Sequence, residues 1–388
     1  MCAESYIANG LRYIKPYYTT RSSYVKGRWL NKSLIEVLTT EFKTHSKDYY
    51  LNQIQIGNYQ LQRRLNSSSP LQNIDPINDI IKNGDILLMK QHKHEPPVKS
   101  WNNDSFNIIY EDETLLVIDK PAGIPVHPTG QFYLNTITEI IKQQKGISVF
   151  PCYRLDKVTS GLLILAKNSI TASSIQKKIN NRDMNKIYLA RVKGKFPFCH
   201  TTTTIPDTSS LFKHDSIITT CNIPIFAIEP KKGYPAGLSD SKSSTTLFYP
   251  IKYIPNSNES IIACKPLTGR THQIRIHLTK LGYPITNDSI YCDNCTIYPQ
   301  RLQFVKQYDR WEIVKDSIKS EFQKIIDETN NKKDELISDT DKRCAECGVQ
   351  LMDDPNLNQL KIFLHAWQYS DIEGTFNYQT DLPQWVKE

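Results

Sequence analysis

Apolar residues in this 388-residue chain come in short bursts. Ile86-Leu87-Leu88-Met89, Ile108-Ile109-Tyr110, Leu115-Leu116-Val117-Ile118, residues 161–166, Ile261-Ile262-Ala263-Cys264 and Leu360-Lys361-Ile362-Phe363-Leu364 all read as strands. Helical spacing lies between them, at 136–143, 170–179 and 271–281. The two kinds of segment do not alternate at the regular spacing of βαβ units. The pattern therefore predicts an α+β fold rather than a doubly wound parallel sheet. No apolar run reaches eighteen residues, so no membrane-spanning helix is expected. The opening Met1-Cys2-Ala3-Glu4-Ser5-Tyr6 lacks the long apolar stretch of a secretory signal.

Turn and composition signals divide the chain. Residues 1–29, rich in Tyr, Arg and Lys, read as an N-terminal arm. Leu34, Val37, Leu38 and Phe42 fall at helical spacing behind a cap at Asn31 or Ser33. Asn83-Gly84-Asp85 turns into the strand at Ile86, which makes residues 30–90 a small helix-plus-hairpin module. Residues 91–105, with Pro96 and Pro97, read as a linker, and 106–315 as the main domain. Within that domain, 196–245 reads as long loops around a few strands. Residues 316–388, which hold a Cys-x-x-Cys, form a C-terminal extension expected to pack on the main domain, in which Ile318, Phe322, Ile325 and Ile326 suggest a surface helix.

The charge is uneven. Residues 1–100 hold 14 basic and 8 acidic side chains, and residues 101–314 hold 25 and 17. Beyond 314 the balance reverses, with 9 basic against 15 acidic. A phosphate-binding surface is expected in the first four-fifths of the chain. The sign alone also suits an acidic partner or a membrane surface.

Two stretches could carry chemistry. In Tyr153-Arg154-Leu155-Asp156-Lys157-Val158-Thr159-Ser160-Gly161, one acid sits between two bases. Neighbouring cations favour the carboxylate form that a nucleophile or base needs. A structural ion pair capping a turn would use the same residues. In Leu267-Thr268-Gly269-Arg270-Thr271-His272-Gln273-Ile274-Arg275-Ile276-His277, Gly269 suits a turn and Thr271 a helix cap. If the helix begins there, Thr271, Arg275 and Leu278 share a face and His272 is rotated away. Arg275 could pair with a distant carboxylate, and Arg270 and His272 could meet phosphate. A basic helix with one buried histidine is the alternative.

Arg154-Leu155-Asp156 with Thr159-Ser160-Gly161-Leu162-Leu163, Lys186-Ile187-Tyr188-Leu189-Ala190, and Gly269-Arg270-Thr271-His272-Gln273-Ile274-Arg275-Ile276-His277 resemble motifs of the RluA-type pseudouridine synthase family. Asp119-Lys120-Pro121-Ala122-Gly123, with Val126-His127-Pro128, resembles that family's opening motif. The four occur in the family's order. The resemblance implies a mixed, mainly antiparallel catalytic sheet with flanking helices and loops. It also implies isomerisation of uridine to pseudouridine by an aspartate nucleophile, with no cofactor required. Asp156 would be that nucleophile, Tyr188 would lie beneath the target base, and Arg275 would pair with Asp156. Arg154 would approach or replace the flipped nucleotide, while Arg270 and His272 would contact backbone or support local structure. Tyr153 departs from the family, which has histidine before Arg-Leu-Asp.

Asn9-Gly10-Leu11-Arg12-Tyr13, Gly27-Arg28-Trp29 and His92-Lys93-His94-Glu95-Pro96-Pro97 are similar to fungal tRNA synthases of this family that act on the anticodon stem-loop. The expected partner is thus tRNA, modified at position 31 or 32, with residues 30–90 as an S4-like RNA-binding module. A monomer in the cytoplasm or nucleus, or in mitochondria, follows from the same resemblance. A synthase for another RNA and a non-catalytic RNA-binding protein are the alternatives. Some relatives carry a deaminase domain, but no His-x-Glu plus Pro-Cys-x-x-Cys pair occurs after residue 315.

Nine cysteines are too sparse for a disulfide scaffold and suit a reducing compartment. Cys292-Asp293-Asn294-Cys295 and Cys344-Ala345-Glu346-Cys347 have the ligand count and local spacing of a structural zinc site, provided the fold brings the pairs together.

Overall fold

The computed structural model describes residues 3–42, 46–64, 69–101, 105–201, 211–212, 217–338 and 343–387. They form two units. One comprises residues 1–4 with 15–94, and the other residues 5–14 with 95–388.

In the larger unit, β1 (Ser5–Ala8) and β2 (Leu11–Ile14) form a hairpin across Asn9-Gly10. Both turn residues have positive φ, the condition for a tight antiparallel turn. The smaller unit begins with β3 (Tyr17–Tyr24). Its first helix, α1 (Leu34–Val37), starts at a reciprocal cap: the Ser33 hydroxyl accepts from Glu36 N–H, and the Glu36 carboxylate accepts from Ser33 N–H. Then come α2 (Lys47–Gln55), β4 (Tyr59–Arg63), β5 (Gln72–Ile74) and β6 (Ile86–Lys93). The strands make an antiparallel sheet in the order β3-β6-β4-β5. Leu34, Val37, Leu38, Tyr50, Leu61 and Leu87 fill its core. The module therefore has a full sheet, not a hairpin. It recruits β3 from the expected arm and β5 from a stretch too polar to show a strand period.

The expected linker is also built in. β7 (Val98–Lys99) pairs with β2, and the Glu95 carboxylate accepts hydrogen bonds from the backbone N–H groups of Tyr133, Leu134 and Asn135 at 2.8–2.9 Å. The prolines that mark a linker in sequence here fix an extended path.

The rest of the larger unit carries a ten-stranded sheet. Its elements are β8 (Asn107–Glu111), β9 (Leu115–Lys120), α3 (Ile137–Lys145), β10 (Phe150–Pro151), β11 (Ser160–Ala166), α4 (Ser169–Asn181) and β12 (Met184–Lys193). They continue with β13 (Thr219–Cys221), β14 (Thr246–Ile254), β15 (Glu259–Pro266), α5 (Gln273–Lys280), α6 (Pro299–Gln307) and α7 (Lys319–Ser338). Last are β16 (Leu364–Asp371), β17 (Asn377–Gln379) and α8 (Gln384–Lys387). The spatial order is β13-β14-β15-β12-β16-β11-β9-β8. Every pairing is antiparallel except that of β16 with β11. The fold is α+β, as the burst pattern implies. Of the expected loops at 196–245, residues 202–210 and 213–216 lie outside the described residues.

Two features of the C-terminal extension differ from expectation. Ile318, Phe322 and Ile325 are fully buried against Phe304 and Trp311, so α7 begins in the core and not on the surface. The late strand starts at Leu364, after a helical turn at Leu357–Leu360, and enters the middle of the catalytic sheet between β11 and β12. A main domain ending at 315 would lack a central strand. Gly161 makes the insertion feasible. It has φ +110°, and a Cβ there would sit 2.2 Å from the Ala366 carbonyl oxygen. His365 on β16 is held between Ser160 (2.8 Å) and Thr380 (2.7 Å), and burial lowers its pKa to about 4, so the imidazole is neutral.

Candidate active site

The loop between β10 and β11 carries Asp156. Lys120, at the end of β9, is fully buried beneath it, and its ammonium donates to the carbonyls of Pro121, Lys157 and Thr159 at 2.8, 3.2 and 2.8 Å. Thr159 N–H donates to Asp156 O at 3.1 Å, and Gly123 N–H to Lys157 O at 2.7 Å. Burial is the main influence on Lys120 and brings its pKa down to about 7. The loop is thus fixed by one cation and its own backbone.

Asp156 Oδ2 accepts from Arg275 Nη1 at 3.0 Å. The Arg275 side chain is 3% exposed and that of Asp156 30%, so the arginine is held in the protein while the carboxylate meets a cavity. Arg275 is itself clamped by Asp288, whose side chain is 0% exposed, through Nε–Oδ2 (2.6 Å) and Nη2–Oδ1 (2.8 Å). A bidentate pair of this kind fixes the plane of the guanidinium and leaves one edge for Asp156. Asp288 also accepts from the backbone N–H of Ile290 and Tyr291, which holds its own loop.

His272 lies closer to Asp156 than the sequence suggests, with Nε2 3.6 Å from Oδ2. It adopts a left-handed conformation, φ +56°, immediately before α5. The helix therefore starts at Gln273 and not at Thr271, and His272, free of the helical spacing, turns toward the same carboxylate as Arg275. Gln273 closes the turn: its side-chain oxygen accepts from Thr268 Oγ1 and Arg270 N–H, and its amide donates to Thr245 O and Thr246 Oγ1. Burial, then the charge of Arg275, lowers the His272 pKa to about 4, so the ring is neutral at physiological pH. Its Nδ1 is hydrogen-bonded with the Tyr291 hydroxyl at 2.9 Å, and Nε2 faces Asp156. Burial alone would raise the Asp156 pKa. The positive potential of the His272 and Arg275 side and the Arg275 hydrogen bond outweigh it, so the carboxyl stays below its ordinary value.

These groups line a cavity of about 700 Å³. Tyr188, on β12 at a bulge between Ile187 and Tyr188, lines it from the sheet. Burial raises its pKa to about 12, so it is a neutral phenol. Arg154 and Arg270 are exposed at the rim, and Arg270 Nε donates to Ser243 O at 3.3 Å. Lys157, Lys186 and His127 add to the basic lining. Asp156, Tyr188, Arg275, Arg154, Arg270 and His272 all border this one cavity.

Residues 114–280 match the family described as RNA pseudouridylate synthase. A tRNA pseudouridine(31) synthase of Saccharomyces cerevisiae is 50% identical over 99% of this chain and 97% of its own length. The chain belongs to the RluA-type pseudouridine synthase family. A mitochondrial tRNA pseudouridine(32) synthase of the same yeast is 35% identical over 99% of this chain and 78% of its own length. The structure of human RNA pseudouridylate synthase domain containing 1 aligns with a TM-score of 0.43 and 18% identity, over 74% of this chain and 86% of that one.

In this synthase, Tyr153 occupies the family's histidine position by stacking on Tyr369 of β16, with centroids 4.7 Å apart and planes 10° apart. Asp288, Lys120 and Tyr369 are the site's supports that motif reading alone leaves without a role. Lys120 was visible within the Asp119-Lys120-Pro121 motif. Asp288 and Tyr369 carried no local signal, because each acts through a partner distant in sequence.

The two cysteine pairs do not assemble the expected four-sulfur site. Cys292 Sγ lies 3.4 Å from Thr286 O, and Cys295 Sγ 3.4 Å from Asp288 O, in the loop behind Arg275. Cys344 and Cys347 sit in a separate turn, closed by Cys344 N–H to Val349 O and Gly348 N–H to Cys344 O, both 2.9 Å. A zinc–sulfur bond of about 2.3 Å requires four sulfurs within roughly 4 Å of one another. Among the described residues the two pairs are not gathered into one such cluster. The CxxC spacing sets a local turn. It does not bring two turns together.

Proposed function

We propose that this synthase converts uridine 31 in the tRNA anticodon stem-loop to pseudouridine, with Asp156 as nucleophile. Asp156 attacks the ribose carbon of the glycosidic bond. That bond breaks with its electron pair on the uracil, which turns over Tyr188. The C5 carbon then bonds the ribose, the carboxylate leaves, the C5 proton is lost and N1 gains one. Atoms balance without cosubstrate, metal or redox partner, as an isomerisation should. The observation that carries this reading is a carboxylate held ionised by a buried arginine at the edge of a nucleoside-sized cavity. Arg275 keeps it aimed, and Tyr188 supplies an uncharged surface on which the base can turn. Arg154 enters the space left by the flipped nucleotide. Arg270 contacts the backbone, and residues 15–94 bind RNA beyond the target.

Position 31 is favoured over 32 because the relative named for position 31 is the more similar, at 50% against 35%. The test is single-nucleotide pseudouridine mapping in cells lacking the gene, re-supplied with wild type or Asp156→Ala. The expected result is one anticodon-stem mark restored by wild type alone. Restoration by Asp156→Ala would reject the mechanism, and restoration of a mark elsewhere would reject the position.

A further inference from the structure

The protein treats the two oxygens of Asp156 differently. Oδ2 accepts from Arg275 Nη1 at 3.0 Å, and His272 Nε2 stands 3.6 Å from it. Among the described residues, Oδ1 accepts no hydrogen bond. A hydrogen bond stabilises the charge on the oxygen that accepts it, so the other oxygen keeps the more available electrons. Both neighbours of Oδ2 rest on one buried side chain, Tyr291. The Arg275 guanidinium lies over its ring, 5.1 Å from the centroid. Its hydroxyl is 2.9 Å from His272 Nδ1, and the two rings meet edge to face at 5.6 Å. Arg301 Nη2 lies 3.5 Å from the same hydroxyl. The Tyr291 backbone is tied as well. Its N–H donates to Asp288 Oδ1 at 3.2 Å. Its carbonyl is 2.9 Å from Thr279 Oγ1 on α5, which is also 3.0 Å from Arg275 O.

We infer that Tyr291 is a positioning residue for the nucleophile: it holds Arg275 and His272 against Oδ2 and so leaves Oδ1 to attack the ribose. This rests on the role proposed above for Asp156. A carboxylate turns about its last bond over a broad, two-fold torsion, so its oxygens exchange places unless one is held. Asp288 fixes the guanidinium edge through two hydrogen bonds, and the Tyr291 ring supports its face, which resists tilting out of that plane. His272 needs a separate support, because it stands before α5 in a left-handed conformation. Among the described residues, the Tyr291 hydroxyl is the only hydrogen-bond partner of its ring. The ring fills the space beside Oδ2 whichever nitrogen carries the proton. Holding one oxygen forward keeps the reacting atoms near attack geometry, and that gain appears in the rate of the bound complex.

The test is single-turnover pseudouridylation of bulk tRNA from cells lacking the gene, using the full chain at saturating concentration, with RNA affinity measured separately. Tyr291→Phe keeps the ring beneath Arg275 and loses the hydrogen bond to His272. The bound-state rate should fall about five- to tenfold with RNA affinity unchanged. Tyr291→Leu also removes the ring from Arg275 and should slow the rate about three- to tenfold more. In a His272→Ala background, Tyr291→Phe should have no further effect. If Tyr291→Phe matches wild type, or costs as much in the His272→Ala background, its hydroxyl does not act through His272. Tyr291 is then a packing residue and the inference fails, while an inactive Asp156→Asn would leave the proposed nucleophile standing. If Asp156→Asn turns over normally, the nucleophile falls and this inference falls with it.

Discussion

The two walls of the cavity are held by different physics. On one side, Asp156, Arg275 and Asp288 form a charged relay of hydrogen bonds at 2.6–3.0 Å. On the other, Tyr153, Tyr188 and Tyr369 are neutral phenols, with Tyr153 stacked on Tyr369 and Tyr188 hydrogen-bonded to Tyr369 hydroxyl to hydroxyl. The charged wall joins Arg275 to a clamp 13 positions along the chain and to Asp156 119 positions away. The phenol wall is assembled from three separate strands or loops, one of them 181 residues from Tyr188. The difference teaches that charge can be specified by residue type in a motif. An oriented neutral group requires the surrounding sheet.

The largest expected effect is at the charged wall. Asp156→Asn removes the proposed nucleophile at nearly constant shape, and turnover should fall by at least about 10⁴-fold while RNA binding persists. Retained turnover would break the comparison, since the charged wall would then be structural only. Gly161→Ala strikes the seam through which β16 joins the two walls. A left-handed alanine against the Ala366 carbonyl should cost about 3 kcal/mol in denaturant unfolding. Unchanged stability would mean that β16 can shift without loss.

Asp288→Asn leaves Arg275 buried with a weaker clamp. The expected loss is about 10²-fold in kcat from misplacement. The pH profile sharpens this. Arg275 holds Asp156 below its ordinary carboxylate value, so wild-type activity should persist through mildly acidic pH and fall only as pH drops through that lowered value. Asp288 is lowered too: burial opposes its charge, and Arg275 more than compensates. Its contribution to stability is therefore present above the unfolded carboxyl pKa of about 3.9 and is lost as pH falls through the folded value. In Asp288→Asn the acid limb of kcat should move upward; an unmoved limb would show that Asp288 does not act through Arg275. The smallest effect belongs to the rim. Arg154→Ala should lower the slope of log affinity against log salt by about one if Arg154 meets a phosphate, and leave it unchanged if it stacks on a base.

Much of the charged wall was legible. The acid between Arg154 and Lys157, and the glycine turn before Arg275, are local patterns, whereas the pairing of Asp156 with Arg275 came only from the resemblance to the family. The rotation assigned to His272 was not, because a left-handed residue before α5 resets the helical phase and no side-chain property of histidine announces it. The grouping of the two cysteine pairs was not legible for a related reason: each Cys-x-x-Cys sets a turn, and only long-range packing decides whether two turns meet. The extension was expected to pack on the main domain, but its insertion as a central strand was not legible, because no local pattern shows which earlier strands a late strand will join.

By itself the sequence determined much of the strand-and-helix alphabet and the α+β class, since both depend on residue type and short-range spacing. Tertiary structure decided which groups face the cavity and that β16 lies between β11 and β12. Those outcomes rest on hydrogen-bond partners and close approaches between residues far apart in the chain, such as Ala366 against Gly161, which no local pattern encodes.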